Sequence, residues 1–185
     1  MNETLLIVLA VVAVAAVAGW LYFQKRRSDH LRSQFGSEYD HEVEAKGDRR
    51  KAEAELADRE KRVKKLDIRP LEPSVKEGFI ERWRDVQARF VDDPPRAVAD
   101  ADALLGEVLR TRGYPVADFD QRAGDISVDH PNVVENYRAG HEIAVKHERG
   151  DAGTEDLRQA MIHYRSLFDD LVETTPAEPS GEEAR

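Results

Sequence analysis

Cysteine is absent from this chain of 185 residues. Its absence excludes a thiol nucleophile, a thiolate metal ligand and any disulfide, and it is compatible with a reducing cytoplasm without requiring one. The chain also lacks a G-x-x-x-x-G-K-[ST] phosphate loop, a G-x-G-x-x-G motif after a strand, a G-x-S-x-G nucleophile elbow and an HExxH zinc pair. We therefore expect no enzyme activity, no bound metal and no other cofactor.

Positive charge is scarce beyond the first third of the chain. Residues 66–173 carry 14 Lys/Arg against 23 Asp/Glu, whereas residues 24–65 carry 13 against 10. Because proteins bind duplex nucleic acid through a basic surface that neutralises phosphates, we expect no nucleic-acid partner. An anionic membrane surface would repel the acidic part of the chain and attract the basic part.

One long apolar run does occur, close to the N-terminus. From Leu5 to Phe23 the chain has no charged residue, and Lys25-Arg26-Arg27 follows almost at once. As a helix that rises about 1.5 Å per residue, the run would reach roughly 28 Å, close to the ~30 Å thickness of the hydrocarbon core of a bilayer. It predicts a single transmembrane helix, with residues 1–27 as the anchor and the lipid bilayer as a partner through residues 5–23.

The charges that flank the apolar run predict its orientation. Glu3 is the only charged side chain before the run, whereas Lys25-Arg26-Arg27 and Arg32 follow it. The positive-inside rule therefore places the N-terminus outside the membrane and the C-terminal domain in the cytoplasm. The alternative is secretion after cleavage of a signal peptide before Gly19, although a signal peptide carries its positive charge before the apolar run rather than after it.

Residues 28–69 predict a charged helical stalk. Acid-before-base pairs at i,i+4, such as Glu55/Arg59, support an exposed helix. Apolar positions are sparse and only approach heptad spacing, so a solvated single helix and a dimeric coiled coil both remain open. Gly36 and Gly47 would weaken the helix at two points.

A proline pair, Pro70 and Pro73, breaks the helical pattern and marks the start of the next domain. Residues 70–173 show helical periodicity in four main segments and no alternation of period two, which predicts an all-α fold. Short turns join these helices, so we expect a compact bundle of about four helices built from two antiparallel hairpins. Residues 174–185 lack apolar residues to bury and predict a disordered acidic tail.

Local capping patterns predict where the bundle helices begin and end. Ser74 with Glu77 forms a capping box, Asp93 and Asp129 stand close before prolines that begin helices, and Gly113 is placed as a C-cap glycine. The first bundle helix is expected to present seven apolar residues on one face: Val75, Phe79, Ile80, Trp83, Val86, Phe90 and Val91.

The candidate site residues lie near helix ends and on the inward face of one bundle helix: Arg112, Tyr114, Asp129, His130, Tyr137 and His141. The first four could form a shared surface, and the last five could line a small-ligand site between the two hairpins. The alternative is that these residues cap helices and fill the core. No two histidines stand at i,i+4 on one helix, as a pair of metal ligands would, so the spacing does not favour a metal site.

Three short runs carry a resemblance to a known group of proteins: Phe90–Pro94, Arg112–Pro115 and Ser127–Pro131. At these runs the chain resembles a family of uncharacterised bacterial proteins, mainly actinobacterial, with an N-terminal membrane anchor and a helical domain. The resemblance implies a location at the bacterial plasma membrane, and it implies no activity for particular residues.

Together these observations favour a non-enzymatic, membrane-anchored interaction or scaffold protein. Its helical domain would dock a protein partner in the cytoplasm, and the sequence identifies no small molecule. Two alternatives stay open. The first is a small-ligand or metal sensor, or an enzyme, with a site between the two hairpins; the second is a structural membrane protein that associates with copies of itself.

Overall fold

The computed structural model describes the backbone of residues 2–115 and 117–173, and the side chains of residues 8, 9, 11–115 and 117–173. These residues form eight helices and no strand, which confirms the predicted all-α fold. The chain divides into two compact units, Met1–Ala57 and Asp58–Arg185. The tail expected at residues 174–185 lies outside the described residues.

The helices of the described residues are α1 (Asn2–Phe35), α2 (Ser37–Lys46), α3 (Arg49–Val63), α4 (Pro73–Arg89), α5 (Pro94–Arg112), α6 (Phe119–Asp129), α7 (Pro131–Glu148) and α8 (Thr154–Glu173).

The first unit contains α1, α2 and most of α3. Gly36 and Gly47, with φ of 52° and 61°, separate the three helices. The expectation of one continuous helix through the stalk is therefore wrong, because both glycines adopt backbone angles that end a helix rather than merely weaken it. The buried apolar side chains of this unit are Leu31, Phe35, Tyr39, Ala52, Leu56 and Ala57. The dimeric coiled coil stays a prediction.

The predicted membrane span lies within α1. The side chains of Leu5–Ile7 and Ala10, which belong to that span, are outside the described part of the chain. Across the side chains that are described, no helix combines the length and the apolar character needed to cross a membrane.

The second unit contains the helical bundle. Arg82 pairs with Glu107 and Arg89 pairs with Asp100, so α4 and α5 run antiparallel. A turn at residues 150–153 joins α7 to α8, which packs against α7 and α5, while α6 packs against α7. These contacts confirm a helical bundle, and α6 adds a helix of 11 residues to the four main helices expected from the sequence.

The core of the bundle is filled mainly from α4, α5, α7 and α8. Trp83 stacks on Phe168, with ring centroids 4.6 Å apart and an angle of 13° between the planes. Along α8, the apolar residues that recur every three or four positions are all buried: Leu157, Ala160, Met161, Tyr164, Leu167, Phe168 and Leu171. On α4, by contrast, Val75 is 39% exposed and Val91, just after the helix, is 83% exposed. The buried face of α4 is therefore shorter at both ends than the sequence predicted.

The compact bundle unit begins at Asp58, before the proline pair. Arg62 Nε donates to Asp125 Oδ1 at 2.8 Å, and the Arg69 backbone N–H donates to the Arg112 carbonyl at 2.9 Å. Three apolar side chains of residues 66–71 pack against the bundle core: Leu66, Ile68 and Leu71. The prolines end the helical pattern without ending the packed unit, because an extended segment can also bury apolar side chains.

Two glycines permit close packing in the bundle. Gly113 ends α5 with φ of 105°, as predicted, and a Cβ atom there would lie 2.3 Å from the Asp67 carbonyl oxygen. A Cβ atom on Gly140 would lie 2.7 Å from Cε1 of Tyr164, so the absence of a side chain allows α7 and α8 to approach closely.

Two of the predicted helix caps are wrong. α4 begins at Pro73 rather than after Ser74, since proline lacks an N–H and suits the first position of a helix. α6 continues to Asp129, and His130 is the residue that precedes α7, so Asp129 does not cap that helix. The cap at Asp93 is confirmed, because its carboxylate accepts a hydrogen bond from the backbone N–H of Arg96 at 3.2 Å.

Candidate functional site

A buried cation lies at the C-terminal end of α5. Arg112 is 1% exposed, and one of its guanidinium nitrogens donates to the carbonyl oxygen of Leu171 at 2.9 Å. Cations are stabilised near the C-terminal end of a helix. Arg112 lies at the C-terminal end of α5, and its hydrogen bond also reaches a carbonyl in the last turn of α8. The sequence placed Arg112 near a helix end but gave no sign that it is buried.

Four further residues gather around Arg112. The Tyr114 hydroxyl donates to Asp129 Oδ2 at 2.7 Å, and His130 Nδ1 is hydrogen-bonded to the Asp170 carboxylate. The rings of Tyr114 and His130 have centroids 6.5 Å apart. We call Arg112, Tyr114, Asp129, His130 and Asp170 the Arg112 network; it connects the ends of α5, α6, α7 and α8.

Burial controls the ionisation of the Arg112 network. It lowers the pKa of Arg112, against the opposing effect of Tyr114, Asp129 and Asp170, and it raises the pKa of Tyr114 well above its ordinary value. Burial also lowers the pKa of His130, which the Asp170 carboxylate only partly offsets. Because the Asp170 carboxylate accepts hydrogen bonds, a neutral His130 would donate one to it from a protonated Nδ1.

The Arg112 network is arranged to hold helices together. Nε2 of His130 is buried and has no hydrogen-bond partner among the described residues, so a substrate could not reach it without movement of the surrounding helices. The other polar contacts of the network join one helix end to another. Its chemistry therefore matches a structural ion and hydrogen-bond cluster better than an acid–base pair.

Tyr137 and His141 belong to a different cluster. The Tyr137 hydroxyl donates to Asp102 Oδ1 at 3.3 Å, and the Arg122 guanidinium lies 5.6 Å from the centre of the Tyr137 ring. Phe119 stacks on His141 with ring centroids 3.6 Å apart. We call these five residues the His141 cluster. Burial raises the pKa of Tyr137 and lowers that of His141.

A cleft of about 280 Å³ opens beside the His141 cluster. Asp102 and His141 line it together with His147 and Glu148, and Leu157 and Tyr164 supply apolar surface. It contains the two groups, imidazole and carboxylate, that could hold a small polar ligand. Among the described residues, however, no group of three or more His, Asp or Glu side chains is placed to hold a metal ion.

The structure thus places the six candidate residues in two clusters. His130 and His141 lie eleven residues apart along the chain, which corresponds to about 16 Å along the axis of α7. The sequence did not identify the partners Asp102, Phe119 and Arg122. Asp170 stands next to another acid, Asp169, and nothing local to that pair indicates the contact with His130.

A groove between α4 and α8 was not expected from the sequence. It has a volume of about 230 Å³, and we call it the α4/α8 groove. Its apolar lining consists of Ile80, Trp83, Phe168 and Val172, and its polar lining consists of Lys76, Arg84, Gln87, Arg165, Asp169 and Glu173. Apolar side chains between charged ones are the usual composition of a surface that receives a segment of another protein.

Comparison with protein-family models, curated proteins and solved structures found no match to this chain. The resemblance to an actinobacterial family therefore stays an expectation from the sequence.

Proposed function

We propose that this protein is a non-enzymatic, membrane-anchored interaction protein whose helical bundle docks a protein partner on the cytoplasmic side of a bacterial plasma membrane. The observation that carries the proposal is the α4/α8 groove, with an apolar floor between charged walls. A partner segment that suits it would place apolar side chains against the half-buried Ile80 and offer charges of both signs to the walls.

The anchor is supported by the uncharged run from Leu5 to Phe23 and by the basic cluster that follows it. α1 is continuous from Asn2 to Phe35. Large apolar side chains are exposed all around the described part of this run: Val8, Leu9, Val11, Val12, Val14, Val17, Trp20, Leu21, Tyr22 and Phe23. A helix that is apolar on every side favours a lipid environment over water.

The absence of cysteine allows one pair of variants to test location and docking together. Gln87→Cys places a single thiol in the α4/α8 groove, and Arg96→Cys places one at an exposed position that does not line it. In bacterial spheroplasts, a membrane-impermeant maleimide should label neither variant until the membrane is permeabilised, whereas Asn2→Cys should be labelled at once. Labelling of Gln87→Cys in intact spheroplasts would reverse the proposed orientation.

The same thiols then carry a benzophenone-maleimide for photocrosslinking in permeabilised cells. We expect a discrete adduct with another protein from Gln87→Cys and none from Arg96→Cys. Adding Arg84→Glu should reduce the adduct severalfold by placing a carboxylate in the groove, whereas Arg96→Glu should leave it unchanged. Equal adducts from both positions, or none from either, would contradict docking at the groove. An adduct with a second copy of the chain would favour self-association instead.

A second candidate function is small-ligand sensing, which the cleft beside the His141 cluster favours. A ligand at 100 times its Kd would stabilise the protein by about 2.7 kcal/mol. In a thermal-shift screen of the full chain in detergent against metabolites and nucleotides, such a ligand should raise the melting temperature, and His141→Ala should abolish the rise. A flat screen would leave docking as the better-supported function.

A further inference from the structure

Two clefts in the first unit are lined jointly by α1 and α3. The first has a volume of about 540 Å³ and is lined by Leu21, Gln24, Lys25, Ser28, Asp48, Arg49, Arg50 and Glu53. The second, of about 430 Å³, is lined by Trp20, Phe23, Gln24, Arg27, Arg50, Glu53 and Ala54. We call them the juxtamembrane clefts, because they bring the end of the apolar run against the first turn of α3.

Among the described residues, Arg49 of the juxtamembrane clefts pairs with Glu53, and the other three cations that line these clefts form no ion pair. Lys25, Arg27 and Arg50 are exposed and form no ion pair within the described residues. Arg50 lines both clefts, so an anion bound in either cleft would lie next to this residue. Arg49 lies next to it and is also part of the first cleft.

The two carboxylates in the clefts are already occupied. Glu53 Oε1 accepts hydrogen bonds from Ser28, from the Tyr39 hydroxyl at 2.8 Å and from Arg49 Nε at 2.9 Å. Burial alone would raise the pKa of Glu53, but these three hydrogen bonds outweigh burial and hold the pKa below its ordinary value.

Asp48 is engaged at the start of α3. Its carboxylate accepts from the backbone N–H groups of Arg50 at 2.8 Å and Lys51 at 3.2 Å. Both acids therefore organise the protein itself, and neither forms an ion pair with Lys25, Arg27 or Arg50, although Asp48 lies close enough to attract the Arg50 charge.

We propose that the juxtamembrane clefts bind the phosphate of an anionic phospholipid headgroup. The proposal rests on the membrane anchor of the proposed function. Guanidinium groups match phosphate oxygens in charge and geometry, and Trp20, Leu21 and Phe23 offer apolar surface to the adjoining acyl chains. α3 also begins with Arg49-Arg50-Lys51, although a helix N-terminus disfavours cations, so an anion near this turn relieves repulsion within the protein.

Trp20 reports on this site directly. In a Trp83→Phe background it is the only tryptophan, since the chain has two. The full chain is placed in phosphatidylcholine vesicles that contain either brominated phosphatidylglycerol or brominated phosphatidylcholine at the same mole fraction. Quenching of Trp20 gives the relative association constants of the two lipids, and we expect the anionic lipid to be preferred by about fivefold or more.

Arg50→Gln should lower this preference by about fivefold, toward equal association, because one cation near the surface of an anionic membrane contributes about that factor. Lys51→Gln is the matched control: it removes the same charge from the neighbouring residue, which lines neither cleft, and should change the preference less than twofold. Inorganic phosphate, compared with chloride at equal ionic strength, should not change it.

Each other outcome overturns the proposal. Strong quenching by both lipids without preference would support the membrane anchor and contradict the headgroup site. Equal losses in Arg50→Gln and Lys51→Gln would indicate general surface charge rather than binding in the clefts. Competition by inorganic phosphate would assign the clefts to a soluble anion. No quenching by either lipid would contradict the anchor itself, and the headgroup site with it.

Discussion

Arg112→Ala is expected to lower the free energy of unfolding by about 2–5 kcal/mol, because it empties the space of a large buried side chain and removes a buried hydrogen bond. The guanidinium is almost completely buried, and its loss would leave the Leu171 carbonyl without its donor, whereas the exposed Asp129 and the half-buried Asp170 would stay hydrated. The ends of four helices meet at this network, so no exposed side chain can replace Arg112.

Urea unfolding of the full chain in detergent micelles, followed by circular dichroism, measures this loss. Arg110→Ala is the control, because Arg110 is exposed, lies in the same last turn of α5 and carries the same charge. Its substitution should change the free energy of unfolding by no more than about 0.5 kcal/mol. A loss below about 1 kcal/mol for Arg112→Ala would mean that the network does not stabilise the bundle.

Trp83→Ala should lower the free energy of unfolding by about 3–5 kcal/mol, because it removes a large ring from the contact between α4 and α8. Trp83 is 4% exposed and stacks on Phe168, so the remaining cavity could close only if both helices moved. Trp83→Phe keeps an aromatic ring in the stack and should cost much less. Its indole Nε1 has no hydrogen-bond partner among the described residues, so no hydrogen bond is lost.

Val91→Ala is the matched control for this prediction. The sequence pattern assigns Val91 and Trp83 to the same face, but Val91 is 83% exposed. The control should therefore change the free energy of unfolding by no more than about 0.5 kcal/mol in the same urea titration. Equal losses in Trp83→Ala and Val91→Ala would contradict the burial of Trp83.

The bundle helices were predictable because each one repeats its apolar residues with the period of a helix. The pattern is most accurate on α8, where the apolar residues that recur every three or four positions are all buried. It was less accurate on α4, since periodicity indicates direction around a helix but not where the neighbouring helices end. Val75 and Val91 lie near the ends of α4 and are exposed for that reason.

Cap prediction succeeded where only local geometry was needed. Asp93 caps α5 and Gly113 ends it, both through bonds within a few residues. It failed at Asp129, because the Tyr114 hydroxyl occupies that carboxylate from fifteen residues away. The prediction of a single helix through the stalk failed because Gly36 and Gly47 divide it into separate helices. The buried side chains of these helices pack within a compact unit.

The candidate site was predictable only as a set of residues. Their positions near helix ends and on an inward helix face were visible in the sequence, but their partners were not. His130 meets Asp170 across forty residues, and Tyr137 meets Asp102 across thirty-five. Contacts at such separations depend on which helix ends the packed bundle brings together, and local patterns carry no information about that.

By itself, then, the sequence determined the all-α character of the described chain, the approximate limits of its bundle helices and the side chains that face the core, because helical periodicity and capping act over a few residues. Only the tertiary structure decided that Arg112 is buried where the ends of four helices meet, that the six candidate residues separate into two clusters, and that α1 and α3 form the juxtamembrane clefts. Charged side chains are long and mostly solvated, so their partners follow from helix packing and not from their spacing along the chain.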